Sequence, residues 1–174
     1  EVLKDINLHV PRGGSIAIIG ESGVGKSTLL SLIGTLDNPT SGTVHLVEKD
    51  IKTMTDRQIS YLRGQQIGFI FQDFNLLPQL SLYENIEIAV KGRADRGRIM
   101  KLLEQVGLEE LVNHKPTQVS GGQQQRAAIA RALINDPEMI LADEPTGNLD
   151  EKTGKEIMDL IFNLHHQKKN TLVV

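Results

Sequence analysis

Residues 20–27 combine glycines, a lysine and a serine in a spacing typical of phosphate binding. The segment reads Gly20-Glu-Ser-Gly-Val-Gly25-Lys26-Ser27 and fits the pattern G-x-x-x-x-G-K-[ST]. Glycines let a loop fold tightly, so that several backbone N–H groups converge on phosphate oxygens at a helix N-terminus, where the helix dipole favours negative charge. A buried strand before the loop and a helix after it are the context that supports this prediction.

The side chains of this loop would have separate roles around a bound nucleotide. Lys26 would neutralise charge on the β- and γ-phosphates, Ser27 would place its hydroxyl on Mg²⁺, and Thr28 would face the α-phosphate. The other candidate nucleotide contacts are Gly20, Ser22, Gly23 and Gly25. The loop therefore predicts a site for a nucleoside phosphate with Mg²⁺.

Two adjacent carboxylates follow a short apolar run later in the chain. Residues 139–142 predict a buried strand, and Asp143 and Glu144 stand at its carboxyl end, where open α/β sheets bind ligands. Asp143 would hold Mg²⁺ directly or through water, and Glu144 would act as general base for the water that attacks the γ-phosphate. Considered without the phosphate loop, the pair has a plain alternative as a solvated strand end.

A second glycine motif, Val119-Ser120-Gly121-Gly122-Gln123-Gln124, opens another predicted helix. A serine and two glycines at a helix start make a second backbone anion site. Because one nucleotide cannot easily fill both sites in one chain, the economical arrangement is a head-to-tail pair of chains. Ser120 and the amides near Gly122 would then close over the γ-phosphate held by the partner. A plain helix cap is the alternative.

The elements that position these motifs alternate between strands and helices. Apolar alternation and short apolar runs predict strands at residues 2–10, 16–19, 43–47, 67–71, 139–142 and 171–174. Apolar residues at helical spacing predict helices at residues 26–36, 55–63, 81–90, 96–106, 121–133 and around 157–164. The order predicts an α/β fold with a mostly parallel core sheet and an N-terminal antiparallel β part. Residues 1–174 would form one domain, with a helical subdomain inserted at about 73–135.

Composition excludes several classes of protein. The chain has 19 Lys and Arg and 22 Asp and Glu, and both signs are scattered along it. The sequence therefore shows no basic face of the kind that binds nucleic acid. Cysteine is absent, which excludes disulfides, thiol catalysis and zinc held by cysteine. No apolar run reaches the roughly 18 residues of a membrane span, so we expect no direct membrane insertion.

These motifs, in this order, resemble the ATP-binding cassette family, and the resemblance spans most of the chain. It rests on residues 20–27, Gln72, residues 120–124, Asp143, Glu144 and Asp150. The resemblance implies that Gln72 touches Mg²⁺ or the attacking water and links the site to the helical subdomain. It also implies that Asp150 crosses a dimer seam toward the partner's phosphate loop. Without the resemblance, Gln72 is a polar strand end and Asp150 a helix N-cap.

The resemblance further implies an ATPase that uses ATP and Mg²⁺. Lys26, Gln72 and Glu144 would be catalytic, and Ser120, Gly122 and Gln123 would contact nucleotide across the dimer. Residues 67–78 and 145–150 are similar to a bacterial subgroup of lipoprotein-releasing, macrolide- and peptide-export, and cell-division ATPases. Such a subunit would pair with a second ATP-binding domain and with a transmembrane subunit. It would be cytoplasmic, on the inner face of the bacterial cell membrane, with residues 74–83 as the candidate partner surface.

Two other functions stay open on the sequence alone. A soluble cassette ATPase of DNA repair or translation would carry long coiled-coil insertions or a second cassette, and residues 1–174 contain neither. A truncated cassette that binds nucleotide or a partner without turnover is the other. Glu1 is not an initiator Met and residues 171–174 end without a turn signal, which predicts truncation at both ends. The family's base-stacking aromatic would precede Glu1, and its switch histidine would follow Val174.

Overall fold

A central sheet of four parallel strands organises the chain. The structure is a computed structural model that describes residues 2–46, 48–93 and 95–174. In the order β1–β6–β5–β4, the strands are β1 Ser15–Ile16, β6 Thr171–Val173, β5 Met139–Ala142 and β4 Ile67–Ile70. All three neighbouring pairs are parallel. The predicted parallel α/β sheet is therefore confirmed.

Six α-helices lie among the described residues. They are α1 Lys26–Ile33, α2 Asp56–Gln65, α3 Leu82–Glu87, α4 Arg96–Gln105, α5 Gly121–Leu133 and α6 Glu151–Lys168. The helices α3 to α5 occupy the connection from β4 to β5, and α6 fills the connection from β5 to β6. These long connections allow parallel pairing, which a tight hairpin cannot provide. That residues 73–135 form a separate subdomain stays a prediction.

Two apolar clusters hold the helices against the sheet. The larger one joins Ile86 of α3, Leu103 of α4 and Ile129 of α5 to Ile140 of β5, and all four are at most 1% exposed. The smaller one contains Leu141 of β5 together with Leu30, Leu62, Ile67 and Val173. Because neighbouring residues of β5 point into different clusters, this strand is buried on both faces, as its continuous apolar run predicts.

Residues 2–10 form no strand, so the prediction from their alternating pattern is wrong. Ile6 and Leu8 are 52% and 47% exposed, and no described strand pairs with this segment. Alternation makes a segment suitable for a sheet, but a strand also needs a neighbour for its N–H and C=O groups. Residues 11–14 form a turn after this segment, with the Gly14 N–H donating to the Pro11 carbonyl over 2.9 Å.

The run at residues 16–19 is less buried than its composition predicts. β1 lies at the edge of the sheet, and Ile19 is 92% exposed. Pairing continues past the strand, because the Ile18 N–H donates to the Val174 carbonyl over 2.6 Å and the Val174 N–H to the Ile16 carbonyl over 3.0 Å. Only one face of this edge segment packs against the core, so apolar content alone overstated its burial.

An antiparallel pair lies outside the central sheet. It joins β2 His45–Leu46 to β3 Lys49–Asp50, with Leu46 opposite Lys49. The strand predicted at 43–47 is thus shorter, and Val47 lies outside the described residues. The antiparallel β part exists, but at these residues rather than at 2–10. None of the described helices is both long and apolar enough to cross a bilayer.

Candidate functional site

The phosphate loop follows β1 and leads directly into α1. Gly23 and Gly25 have φ angles of +79° and +108°, which side chains of L residues rarely adopt. Gly25 is the N-cap of α1, and no side chain caps this helix. The N–H groups at the start of α1 are therefore available to a ligand. The predicted contacts Gly20, Ser22 and Thr28 lie in this loop or in the first turn of α1.

The Lys26 side chain folds back onto the phosphate loop that precedes it. Its Nζ donates to the carbonyls of Gly20 and Glu21, each at 3.0 Å. The same ammonium forms an ion pair with Glu144 Oε1 at 3.3 Å, and the Lys26 side chain is only 16% exposed. Two of the predicted catalytic residues, Lys26 and Glu144, are thus brought into contact across more than a hundred positions of sequence.

The two predicted magnesium ligands Ser27 and Asp143 are also in contact. The Ser27 hydroxyl donates to Asp143 Oδ1 over 3.0 Å. Asp143 is fixed at the end of β5, because its N–H donates to the Ile70 carbonyl of β4 over 2.9 Å. The carboxyl ends of β4 and β5 therefore bring the acidic pair to the start of α1.

Glu144 turns the chain away from the sheet. Its φ is +44°, in the left-handed region, and its carbonyl accepts the Gly147 N–H over 3.0 Å. The Glu144 side chain is 45% exposed. This turn aims the carboxylate at Lys26 and keeps it accessible to water.

Gln72 lies next to the site but bonds to a residue that the sequence did not single out. Its Nε2 donates to Asn148 Oδ1 over 3.1 Å. In the described part of the chain, Gln72 makes no hydrogen bond to Ser27 or Asp143. The predicted contact of Gln72 with Mg²⁺ therefore stays a prediction.

The Ser120 motif starts α5 with a reciprocal capping box. The Gln123 N–H donates to Ser120 Oγ over 3.3 Å, and the Ser120 N–H donates to Gln123 Oε1 over 2.9 Å. Gly122 is buried against α6, where a Cβ would lie 2.6 Å from Thr153 Cγ2. Among the described residues, no hydrogen bond links this motif to the phosphate loop. The helix-cap alternative is present, and nucleotide contact by this motif stays a prediction.

Asp150 caps α6 in a similar way. The Thr153 N–H donates to Asp150 Oδ1 over 3.0 Å. Hydrogen bonds from Thr153, first from its side chain and then from its backbone, hold the pKa of the Asp150 carboxyl below its ordinary value. The N-cap role is therefore real, and the role across a dimer seam stays a prediction.

Two further polar residues of α5 tie the site segments together. Gln125 is fully buried, and its Nε2 donates to the carbonyls of Phe71 at 3.3 Å and Pro145 at 2.6 Å. Arg131 donates to the Phe74 carbonyl over 2.8 Å and also to that of Asn75. Burial lowers the pKa of the Arg131 guanidinium. Gln125 lies four residues before the buried Ile129, so helical spacing places it on the same face of α5. This spacing was the only signal of a buried Gln125 in the sequence.

Comparison with known proteins agrees with this geometry. The family model described as ABC transporter matches residues 3–147. The lipoprotein-releasing system ATP-binding protein LolD of Legionella pneumophila (strain Paris) is 46% identical over 181 residues, covering 100% of this chain and 79% of LolD. The macrolide export ATP-binding/permease protein MacB of Bdellovibrio bacteriovorus is 44% identical over 177 residues, covering 100% of this chain and 27% of MacB.

A solved structure has the same fold. It is the dimeric post-hydrolysis state of the ATP-binding cassette MJ0796 of Methanocaldococcus jannaschii, bound to ADP and Pi. The two chains superpose with a TM-score of 0.89 at 44% identity, over 99% of this chain and 78% of that one. The resemblance inferred from the motifs is therefore confirmed. The chain belongs to the ABC transporter family, as an ATP-binding cassette of the kind that LolD and MacB contain.

Proposed function

We propose that this cassette hydrolyses ATP with Mg²⁺ between two head-to-tail copies and drives a transmembrane partner in export or lipoprotein release. In this proposal, residues 1–174 act as one nucleotide-binding domain with a helical subdomain at about 73–135. The observation that carries the proposal is the 3.0 Å hydrogen bond from Ser27 to Asp143. It joins the phosphate loop to the acidic pair at one point.

Phosphate binding would use the backbone of the loop and the ammonium of Lys26. The uncapped start of α1 offers N–H groups and the positive end of the helix dipole. Lys26 adds a full positive charge that is already oriented by the carbonyls of Gly20 and Glu21. Gly20, Ser22, Gly23, Gly25 and Thr28 complete this half of the nucleotide site in the proposal.

The side chains present fit a magnesium ion shared with a nucleotide. Ser27 and Asp143 provide two adjacent oxygens, and Gln72 would provide a third. In the described part of the chain, no group of three or more His, Cys, Asp and Glu residues could hold a metal. Mg²⁺ commonly takes only one or two carboxylates and completes its shell with phosphate oxygens and waters. When bound, the ion would stabilise charge on the β- and γ-phosphates.

Activation of the attacking water would be the task of Glu144. The carboxylate is half-exposed and 3.3 Å from the ammonium of Lys26, so it lies beside the place where the terminal phosphate would bind. A carboxylate there can accept a proton from water as the bond to phosphorus forms. Asp143, directly after β5, is left to the metal.

The second half of the site would come from another copy. Ser120 is exposed and sits at a helix start, but no hydrogen bond joins it to the phosphate loop among the described residues. In a head-to-tail dimer, Ser120, Gly122 and Gln123 would cover the partner's γ-phosphate, and Asp150 would face the partner's phosphate loop. The dimeric state of MJ0796, to which this chain is similar, supports the proposal.

A membrane partner follows from the relatives. MacB combines ATP-binding and permease parts in one protein, and LolD is the ATP-binding protein of a lipoprotein-releasing system. In the proposal, a transmembrane partner completes the transporter, and the cassette lies at the inner face of the membrane. The segment at residues 74–83, in which the Phe74 carbonyl accepts a hydrogen bond from Arg131, is the proposed contact.

The proposal is tested by the steady-state ATPase rate of Glu144→Gln. Removing a general base lowers a rate by about 10²–10⁴-fold, while ATP binding measured by titration should persist. Glu110→Gln, an exposed acid in the helical region, is the matched control and should retain the wild-type rate. Equal rates for Glu144→Gln and wild type would exclude Glu144 as the base, and a wild type without turnover would refute the ATPase proposal.

A further inference from the structure

Asn148, two residues before Asp150, connects its own turn to the segment that carries Gln72. Its Nδ2 donates to Asp73 Oδ1 over 2.8 Å and to the Gln72 carbonyl over 3.2 Å. Its Oδ1 accepts the Nε2 of Gln72 over 3.1 Å. One carboxamide therefore makes three hydrogen bonds to two consecutive residues that are more than seventy positions away in sequence.

These bonds fix the orientation of both amides. A carboxylate and a backbone carbonyl can only accept, so the end of Asn148 that faces Asp73 and the Gln72 backbone must be its NH₂ group. The other end of Asn148 is then its oxygen, which requires a donor. Gln72 must present its own NH₂ group to that oxygen. The free end of the Gln72 side chain is consequently Oε1, and no described residue donates to it.

The backbone beside Asn148 supports the same orientation. A Cβ on Gly147 would lie 2.7 Å from Gln72 Nε2 and 3.0 Å from Gln72 Cδ, so the amide of Gln72 rests directly on this glycine. Gly147 is itself held in a turn by the Glu144 carbonyl at 3.0 Å. The side chain of Gln72 is thus placed by its contacts with Gly147 and Asn148.

We infer that Asn148, oriented by Asp73, is a positioning residue that makes Gln72 present its side-chain oxygen to the metal and water, and that ties Gln72 to the turn ending at Asp150. The inference rests on the proposed function, because it concerns the same site. An amide oxygen is a ligand that Mg²⁺ accepts, and an amide NH₂ is not. Asn148 thereby selects which end of Gln72 can serve.

The first test is Asn148→Ala in the full chain. Asn148 is exposed, so the substitution leaves the core intact and the unfolding temperature should stay close to that of wild type. Loss of a positioning partner of a metal ligand typically lowers metal affinity or activity by about 10–100-fold. We expect the dissociation constant of Mg²⁺, measured by calorimetric titration in the presence of a non-hydrolysable ATP analogue, to rise within that range. The half-saturating Mg²⁺ concentration of the ATPase should rise with it, and kcat should fall. KM for ATP at saturating Mg²⁺ should change by less than about twofold. Asn163→Ala, on the exposed side of α6, is the control.

The second test asks whether Asn148 acts through Gln72. If it does, adding Asn148→Ala to Gln72→Ala causes no further loss, because the group being positioned is already gone. Losses that multiply in the double variant would overturn the inference, as would an unchanged Mg²⁺ dependence in Asn148→Ala.

The third test exchanges the polarity of the pair. Asn148→Asp places two carboxylates against each other and should reduce activity. Adding Asp73→Asn restores a donor opposite an acceptor and should recover part of it, whereas no recovery counts against the inference. If wild type hydrolyses ATP and these variants match its activity and Mg²⁺ dependence, only this inference is refuted. A wild type without ATP turnover refutes the proposed function, and the inference with it.

Discussion

The two glycine-containing helix starts of this chain, at residues 20–27 and 120–123, are built differently. At α1 the N-cap is Gly25, with φ of +108° and no side-chain cap. At α5, Ser120 and Gln123 satisfy each other in a capping box. The first start leaves its N–H groups to a ligand, whereas the second has already used one of its own. The start of α1 therefore offers one more backbone N–H group to an anion than the start of α5 does.

The two helix starts also differ in the charged side chains that they carry. Lys26 carries an ammonium into the first loop and meets Glu144 there. Residues 119–125 contain no charged side chain. Affinity for the triphosphate should therefore depend on the first start, and the second should affect turnover and closure of the dimer. The following predictions test that division.

The largest effect is expected from Lys26→Ala. Removing a cation from a phosphate site lowers turnover by roughly 100-fold or more, and ATP affinity should fall with it. The measurements are ATP titration and the ATPase rate. Lys101→Ala, an exposed lysine of α4, should leave both unchanged. A Lys26→Ala variant that binds ATP as tightly as wild type would remove the distinction between the two starts.

A smaller loss is expected from Ser120→Asp. Aspartate caps a helix as well as serine, so the unfolding temperature should hold. Its charge would face the γ-phosphate in the closed dimer, and the ATPase rate should fall by at least about tenfold. ATP affinity of the single chain should not change. By contrast, Ser120→Ala should lose about 1 kcal/mol of stability through the missing cap. Normal turnover in Ser120→Asp would argue that this start caps α5 and does nothing else.

The glycines of the two starts should differ in what they cost to replace. Gly23→Ala meets no atom within 4 Å but has a φ of +79°, so the expected cost is about 1 kcal/mol of backbone strain. Gly122→Ala puts a Cβ 2.6 Å from Thr153 Cγ2, and overpacking costs about 1–3 kcal/mol. Urea unfolding measures both. Adding Thr153→Ser, which removes Cγ2, should recover stability for Gly122→Ala only.

The smallest effect concerns a third helix start, at Asp150. Its pKa is lowered from 3.8 by the hydrogen bonds of Thr153. A lowered pKa in the folded state gives stability that is present above pH 3.8 and is lost as the pH falls through the folded value. Asp150→Ser keeps a cap but cannot titrate. The advantage of wild type over Asp150→Ser should therefore be constant near neutral pH and shrink below pH 3.8, as followed by thermal unfolding. A constant difference down to pH 3 would contradict it.

The parts of the fold that the sequence predicted well are those with complete local signals. β5 has the predicted bounds because an apolar run between polar residues defines a strand buried on both faces. α5 has them because Ser120 and Gln123 form a capping box that marks its start. The phosphate loop and the acidic pair were predicted for the same reason, since each is read within a few residues.

The parts that were missed depend on partners far away in the chain. Residues 2–10 have a strand pattern, but the pattern does not show whether a neighbouring strand exists. Asn148 looks like an ordinary turn residue until it is placed beside Asp73, 75 positions earlier. Gln125 joins the carbonyls of Phe71 and Pro145, which no spacing along the sequence relates to each other. Tertiary hydrogen bonds of this kind follow from the packing of distant segments and not from local composition.

The ion pair between Lys26 and Glu144 links phosphate binding to the freedom of the carboxylate. The ammonium lies 3.3 Å from the carboxylate, so one cation faces both the acid and the phosphate loop. A terminal phosphate that binds to the loop competes for the same ammonium. Binding of ATP would therefore release the Glu144 carboxylate from Lys26. If Glu144 is the base, its carboxylate would leave the ammonium only when there is a phosphorus atom to attack.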